Sequence, residues 1–570
     1  MSTTMNFYGY NNRELLARKW ENTSDYNQKV IIILHRGHEH SQRLDEIANY
    51  ESFSAYKKYS YDYRGHGAEK GEPCYEFMDL VRDLDLFIKF VKEDAKVELK
   101  DIFIIANSVS GVVTSTWLHD YGLNIAGVAL VAPAFKIKLY VPFAKQGLAL
   151  ALKVKPKLHI KSYVKSKVLT HDIKEQQKYN NDPLISPDIP ASQLVTLLNT
   201  AERVVKDASM ITVPTLVLSA EKDYVVSNAM QGDFYANLSS KYKKFVQLDN
   251  FYHGVLYETE RDIALKEISD FMEQSFSLTE EINYLEKLID IREVEKNKVA
   301  YGSLCILDKV RFAIQRFFIN QFGHLSNGIT IGKKYGFDSG VTLDYIYQNK
   351  ANGTNFFGKF MDKTYLSAIG WRGIRQRKVN LENMLEYAIE NLKQENVKVN
   401  ILDIAGGPAK YLIQMAKKYE DVDILVRDYQ AQNIEKGREY VKEYNLTNIS
   451  YEQADAFDKK SYENMEFKPN IVVISGVFEL FNENDTIQNA IDGVSAILQK
   501  GDTLIFTNQP YHPQLSEISN VLMNHQKQKW TMRLRSEYEI NKLFENAGFE
   551  VQEMLIDNDG IFTVTRAKKV

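Results

Sequence analysis

Two α/β domains in series, each built on a largely parallel sheet, with a helical segment between them, are what the sequence predicts. The first observation is a set of short aliphatic runs at 30–34, 102–106, 128–131 and 215–219, separated by stretches of helical length. Runs of this kind mark strands buried on both faces of a sheet. The second is a later set at 399–404, 422–427, 471–475 and 503–507 with the same alternation. The third is the gap between them, where LTEEINYLEKLIDIREVEKNKVAYGSLCILDKVRFAIQRFFINQF carries apolar residues at helical spacing and no strand signal. Two alternating series across such a gap describe two sheets rather than one. The bounds expected are 1–275 for the first domain, with a cap at about 135–207, then a helical connector at 276–335 and a second domain at 336–570.

Composition sets limits on function. A chain of 570 residues exceeds what one hydrophobic core organises, and 44% hydrophobic with 26% charged residues is ordinary globular material. The net charge of −4 gives no general attraction to nucleic acid, so no nucleic-acid partner is expected. Cys74 and Cys305 are the two cysteines, which argues against a disulfide framework and against a cysteine metal site. The first residues lack an apolar signal core, and no run of about 18 apolar residues follows, so a cytoplasmic protein is expected. Oligomeric state is not legible.

The run IFIIA leads directly into Asn107-Ser108-Val109-Ser110-Gly111 and then into a helical segment. A strand, a tight turn and a helix in this order form the elbow that lifts a serine hydroxyl above a sheet. The glycines of the usual G-x-S-x-G pattern are replaced by Ala106 and Ser110, small residues that keep the turn feasible. Asp223 follows the strand at 215–219, and His253 lies thirty residues further on, in the order serine, acid, histidine that this fold requires. A serine hydroxyl is a poor nucleophile until a histidine takes its proton and an acid holds that histidine's tautomer. The backbone N–H of Val109 and that of Gly37 or Arg36, in His35-Arg36-Gly37-His38-Glu39-His40-Ser41, are the expected oxyanion donors. The three histidines of that segment read as a shaped loop, and no metal site is expected.

These residues, with Asp62-Tyr63-Arg64-Gly65-His66-Gly67, Ala132-Pro133-Ala134 and Asp182-Pro183-Leu184, resemble the monoacylglycerol lipase and lysophospholipase-like branch of the α/β-hydrolases, of the serine aminopeptidase S33 type. The resemblance covers residues 28–272 and implies hydrolysis of glycerolipid-like esters beneath a helical cap. The cap's first part, KIKLYVPFAKQGLALALKVKPKLHIKSYVKSK, mixes lysines with apolar residues. That mixture suits an acyl chain, or peripheral contact with an anionic membrane face, and equally suits a solvated helix.

In the second domain, the strand at 399–404 runs into Ala405-Gly406-Gly407-Pro408-Ala409, a turn of small residues opening a helix. Asp403 precedes this turn, which suits a cationic ligand and would repel a pyrophosphate; S-adenosylmethionine, with a sulfonium and an ammonium, fits that charge. Asp428 closes the next strand as the expected ribose partner, and Asp455 with Phe457 follows near the expected adenine. The terminal FEVQEMLID-NDG-IFTVTRAK alternates as a hairpin. With FDSGVTLDYIYQNKANG, DKTYLSAIGWRGIRQRK, ISGVFELFNEND, TNQPYHPQ and WTMRLRSEYE, this part resembles the class I, Rossmann-like methyltransferase domain fused behind α/β-hydrolases in bifunctional proteins. Acceptor-site candidates are Tyr345, Tyr365, Trp371, Arg372, Arg375, Glu479, Tyr511 and His512, the last also as a general base.

The reading is thus a bifunctional enzyme acting on small-molecule or lipid substrates, a serine ester hydrolase joined to an S-adenosylmethionine-dependent methyltransferase. Two other readings share these residues. The altered elbow suits a catalytically weak hydrolase fold that docks lipid for the methyltransferase, and the same three side chains serve a thioesterase or acyltransferase.

Overall fold

A computed structural model describes residues 2–22, 27–69, 73–278, 284–463 and 465–570. The chain divides into two compact units, 1–284 and 285–570.

The first unit starts with a hairpin of β1 (Ser2–Gly9) and β2 (Arg13–Trp20). Its turn places Asn11 and Asn12 at φ near +58° and +55°, a region asparagine tolerates. The sheet continues with β3 (Val30–Leu34), β4 (Lys57–Tyr61), β5 (Ile102–Asn107) and β6 (Gly127–Val131). In the cap, β7 (His159–Lys161) and β8 (Asp188–Pro190) form a separate antiparallel pair, and β9 (Thr215–Ala220) and β10 (Lys243–Leu248) return to the main sheet. Strand order is β1-β2-β4-β3-β5-β6-β9-β10. Within this sheet, among the described residues, the pairs made by β2 are antiparallel and the others parallel. Every residue of β3, β5, β6 and β9 is buried, because helices cover both faces of the parallel strands. Each fully buried valine, leucine or isoleucine there contributes about 1.5–3 kcal/mol of transfer free energy.

The cap rises between β6 and β9 and carries the helices Ala144–Val154, Ile173–Asn181 and Ala191–Lys206. The last of these buries Leu194, Leu197, Leu198, Ala201 and Val204 along one face, with polar residues opposite. By contrast, the helix Ala144–Val154 buries none of its residues.

The second unit begins with helices rather than with its sheet. Tyr284–Tyr301, Ile306–Phe322 and Asn327–Tyr335 are helical, as the sequence predicts for the connector; residues 279–283 of that connector lie outside the described residues. The connector is not a separate piece, however, since 285–335 belong to the second unit. Buried Arg292 donates from Nη2 to the Pro510 carbonyl at 2.6 Å, and Arg316 donates to that of Asn520 at 2.7 Å. The sheet comprises β11 (Asn400–Ile404), β12 (Asp423–Asp428), β13 (Ile449–Gln453), β14 (Ile471–Ile474), β15 (Thr503–Asn508), β16 (Phe549–Ile556) and β17 (Thr563–Lys569). Their order is β13-β12-β11-β14-β15-β17-β16, parallel except for the antiparallel terminal hairpin. Ile401, Val426, Val473 and Ile505 pack one face of this sheet, while Leu402, Leu425, Val472 and Leu504 pack the other.

Candidate active sites

Ser108 stands between β5 and the helix Val109–Tyr121 at φ +58°, ψ −111°, a backbone region that costs about 1–3 kcal/mol for a side-chain-bearing residue. The turn is held by bonds on both sides. Ser108 N–H donates to the Val131 carbonyl at 2.8 Å, and the Ser108 carbonyl accepts from Gly111 and Ala134 N–H at 3.0 Å. The substitutions in the glycine pattern have a physical explanation. Ser110 Oγ donates to the His35 carbonyl and accepts from Tyr63 OH at 2.7 Å, so this serine ties the elbow to the loop after β3. The demand for glycine falls at Gly111, where a Cβ would lie 2.7 Å from Cβ of Pro133.

The three side chains far apart in the sequence meet above this turn. Ser108 Oγ lies 2.8 Å from His253 Nε2, and His253 Nδ1 lies 2.7 Å from Asp223 Oδ2. Asp223 Oδ1 accepts from the Val225 and Val226 N–H groups at 2.7 and 2.8 Å. Burial pushes the Asp223 carboxyl up, but the facing imidazole and these N–H donors outweigh it and hold it below the usual carboxylate range. With Asp223 ionised, Nδ1 carries the proton of the neutral ring, which leaves Nε2 free to accept from the serine hydroxyl.

A cavity of about 500 Å³ opens over Ser108, lined by Gly37, Val109 and His253 and roofed by cap residues such as Ile137, Leu139, Val141 and Leu148. A Cβ on Gly37 would come within 3.2 Å of Val109 Cγ2, so the two expected oxyanion donors are neighbours. Val109 heads its helix, where N–H groups have no intrahelical acceptor. Arg36, whose backbone N–H is the other expected donor, engages Glu39 through its side chain, Glu39 accepting from Nη2 at 2.8 Å, while Nε and Nη1 have no partner among the described residues. His35, His38 and His40 bond to Arg36, Ser186 and Asp182 respectively. Among the described residues no group of histidine, cysteine and carboxylate side chains is arranged to hold a metal.

In the second unit, the turn after β11 leaves room for a ligand. Ala405, Gly407 and Ala409 have positive φ, and a Cβ on Gly407 would meet nothing within 4 Å. A Cβ on Gly406 would instead strike the Asp403 carboxylate. Asp403 is fully buried. Its Oδ2 accepts from Tyr411 OH at 2.9 Å, while Oδ1 has no partner among the described residues. Burial, together with the nearby charge of Asp428, pushes this carboxyl up to about 8. An orphaned buried carboxylate beside an open turn is the arrangement a cationic ligand would complete, so the residues present fit S-adenosylmethionine.

Asp428 is more occupied than the sequence suggests. Oδ1 accepts from Gln430 N–H and Asn433 Nδ2 at 2.8 and 3.0 Å, and Oδ2 accepts from Gly407 N–H at 2.9 Å, so only its residual lone pairs can serve a ribose. Asp455 is exposed and accepts from Phe457 N–H at 2.9 Å, and the Phe457 ring packs on Phe481 with centroids 4.2 Å apart. Sequence reasoning missed two contributors. Tyr411 is the second residue of the helix Lys410–Lys418, and the start of the helix Gly340–Gln348 abuts the turn so closely that a Cβ on Gly340 would lie 2.8 Å from Pro408 Cδ. The signal for the second was the small residue inside FDSGV.

The family described as "Putative methyltransferase" matches residues 268–569, and the one described as "Serine aminopeptidase, S33" matches 25–260. The chain belongs to the first family and carries an S33-type hydrolase domain ahead of it. The Escherichia coli protein named "Uncharacterized protein YnbC" is 38% identical over 98% of this chain and 96% of its own. Human monoglyceride lipase is 26% identical over 37% of this chain and 69% of its own, and the Bacillus subtilis phospholipase YtpA is 23% identical over 45% and 99%. Among solved structures, the monoacylglycerol lipase of Paleococcus ferrophilus covers 46% of this chain and 100% of its own, with 19% identity and a TM-score of 0.42.

Within the methyltransferase domain the acceptor candidates separate into groups. Tyr365, Trp371 and Trp530 form an aromatic row with centroids 5.6 and 6.2 Å apart. His512 lies against the helix Ile369–Gln394 that carries Trp371, its Nε2 2.8 Å from where a Cβ of Gly370 would be. Tyr365 OH and Arg375 Nη1 are buried without a partner among the described residues. The other candidates have structural partners. Tyr345 donates to buried Asp362 at 2.5 Å, Arg372 pairs with Asp559 at 3.0 Å on the surface, and Glu479 faces Arg377 at 3.5 Å. Tyr511 is half-buried beside His512 in the chain. For His512 the general-base expectation needs correction. Its Nδ1 accepts from Gln514 N–H at 3.1 Å, so in the neutral ring Nε2 bears the proton and can only donate. Burial lowers its pKa to about 4, which keeps the ring neutral.

Proposed function

We propose that the first unit is a serine ester hydrolase acting on a lipid-like carboxylic ester, and that the second transfers a methyl group from S-adenosylmethionine to a small or lipid-related acceptor. The observation that carries the first part is the unbroken relay from Asp223 through His253 to Ser108 on a strained turn beneath an apolar roof. Ser108 Oγ attacks the ester carbonyl while His253 Nε2 takes its proton; the carbonyl oxygen gains negative charge facing the Val109 and Gly37 N–H groups. The acyl carbon–oxygen bond then breaks as His253 returns the proton to the leaving alcohol. A water, activated by the same imidazole, releases the acid and restores the serine. The closed relay supports catalysis over a docking role for this unit, and the likeness to monoglyceride lipases and a phospholipase supports a glycerolipid ester over a thioester.

The second part rests on Asp403. Its unpartnered oxygen, close to Gly406 in the turn, supports binding of an ammonium or sulfonium group, and the cofactor supplies an electrophilic methyl group when bound. The chain's own contribution is to hold that ligand over the open face of the turn at Gly407, which the start of the helix Gly340–Gln348 braces at Pro408.

Exposed apolar residues of the cap, Tyr140, Phe143, Leu150 and Val154, stand among lysines and support peripheral contact with an anionic membrane face. No helix among the described residues is long and apolar enough to cross a membrane.

Labelling with a fluorophosphonate probe tests the hydrolase. The intact protein is expected to react and Ser108→Ala to stay unlabelled; persistent labelling of that variant would reject the nucleophile. For the second unit, calorimetry is expected to show S-adenosylhomocysteine binding, and its absence would reject the cofactor.

A further inference from the structure

We propose that Arg36 reads an anionic group on the leaving alcohol of the ester, so that the preferred substrate carries a phosphate next to the bond that is cut. This inference rests on the hydrolase reading of the Ser108 site and narrows it.

Arg36 is buried, 3% exposed, yet it lines the cavity over Ser108. One of its nitrogens is occupied, since Nη2 donates to Glu39, and Glu39 is itself shared with Arg43 Nε at 2.9 Å. The guanidinium Nε and Nη1 have no hydrogen-bond partner among the described residues. The group lies against the rings of Tyr257 and Tyr179, with its carbon 5.0 and 5.7 Å from their centroids, so packing holds it in place. A buried guanidinium with three N–H bonds unspent is a costly arrangement for a protein to maintain unless a ligand completes it.

The position of the free donors decides which part of the ester they meet. A Cβ on Gly254 would lie 2.5 Å from Arg36 Nη1, so this nitrogen sits beside the residue that follows His253. His253 returns its proton to the departing alcohol, and that alcohol therefore lies on the side where Nη1 waits. The acyl portion has the apolar cap residues that line the same cavity, Ile137, Leu139, Val141 and Leu148. Charge agrees with this division. Arg36 and Lys161 line the cavity, and no aspartate or glutamate is among its lining residues. A planar guanidinium with adjacent free N–H groups matches two oxygens of one phosphate, which a neutral glycerol cannot offer.

The test compares two esters of one acyl chain, 1-acylglycerol and 1-acylglycerol 3-phosphate, with the full chain. The intact protein is expected to show at least a tenfold higher kcat/KM for the phosphate ester. Arg36→Met, made also with Glu39→Gln so that no buried carboxylate is stranded, is expected to erase that ratio mainly through KM, and Arg36→Lys to restore part of it. Fluorophosphonate labelling of each variant reports that the site is assembled. A ratio near one in the intact protein, or a ratio unmoved in a labelled Arg36→Met variant, would overturn the proposal while leaving the serine hydrolase standing. If neither ester is turned over, calorimetry on Ser108→Ala decides instead: tighter binding of the phosphate ester that is lost on adding Arg36→Met supports the assignment, and equal binding of both lipids overturns it.

Discussion

The two units place a tight turn of small residues at the end of a central strand, and they finish that turn in opposite ways. Above β5 every polar group of the relay has its partner already, from the Val225 and Val226 N–H groups through Asp223 and His253 to Ser108. Above β11 the central carboxyl group keeps one buried oxygen unsatisfied, and the turn that follows it faces open space at Gly407. The difference separates a device that must act on whatever enters from one that must first be completed. A hydrolytic relay gains by being assembled beforehand, because charge develops there faster than a protein can rearrange. A ligand seat gains by leaving a buried polar group unsatisfied, since binding then relieves a cost present in the empty protein.

Breaking the relay should give the largest effect. Ser108→Ala is expected to lower ester turnover by about 10⁴-fold or more, and Asp223→Asn, which permits the wrong imidazole tautomer, by roughly 10²–10⁴-fold. Steady-state hydrolysis of a short-chain ester measures both. In the second unit Asp403→Ala should weaken binding of S-adenosylhomocysteine by roughly tenfold to a hundredfold in calorimetry, the scale of a charge-assisted bond in a buried place. The contrast sharpens with pH. Because burial holds Asp403 up to about 8, the free protein carries it protonated at neutral pH, and binding of an ammonium group must expel that proton. Affinity should therefore climb as pH rises from 6 to 8, by up to about tenfold per unit, and level off above. The slope should vanish in Asp403→Asn; a flat profile in the unaltered protein would refute the raised carboxyl.

Smaller effects probe the scaffold of the elbow. Gly111→Ala should cost about 1–3 kcal/mol, read as a lower denaturation midpoint, because the added methyl would meet Pro133. Ser110→Ala removes the bridge from Tyr63 to the His35 carbonyl and should cost about 1 kcal/mol, with turnover reduced less than tenfold.

Eight parallel strands were legible to within a residue or two, because strands covered on both faces become unbroken aliphatic runs, but β4 and β10, whose KKYSY and KKFVQL interrupt the apolar residues with lysines and polar residues, were not. Where one face meets solvent the signal thins. β1, β2 and β13 alternate buried and exposed residues, and none stood out. At the candidate sites, order along the chain sufficed to propose Ser108, Asp223, His253 and Asp403, since the first three follow strands and Asp403 lies near the end of β11. Tyr411 had no such mark, being one tyrosine among 34 at the start of a helix. Nor could the proton on His512 be foreseen, since it depends on which backbone N–H the ring faces.

The helices ahead of the second sheet carry a practical consequence for anyone dividing this polypeptide. Buried Arg292 spans to the Pro510 carbonyl, and a fragment beginning at 336, where the sheet's sequence signature starts, would lose that cation and bare the surface beneath it. An excised methyltransferase that keeps its solubility should therefore begin upstream of 285.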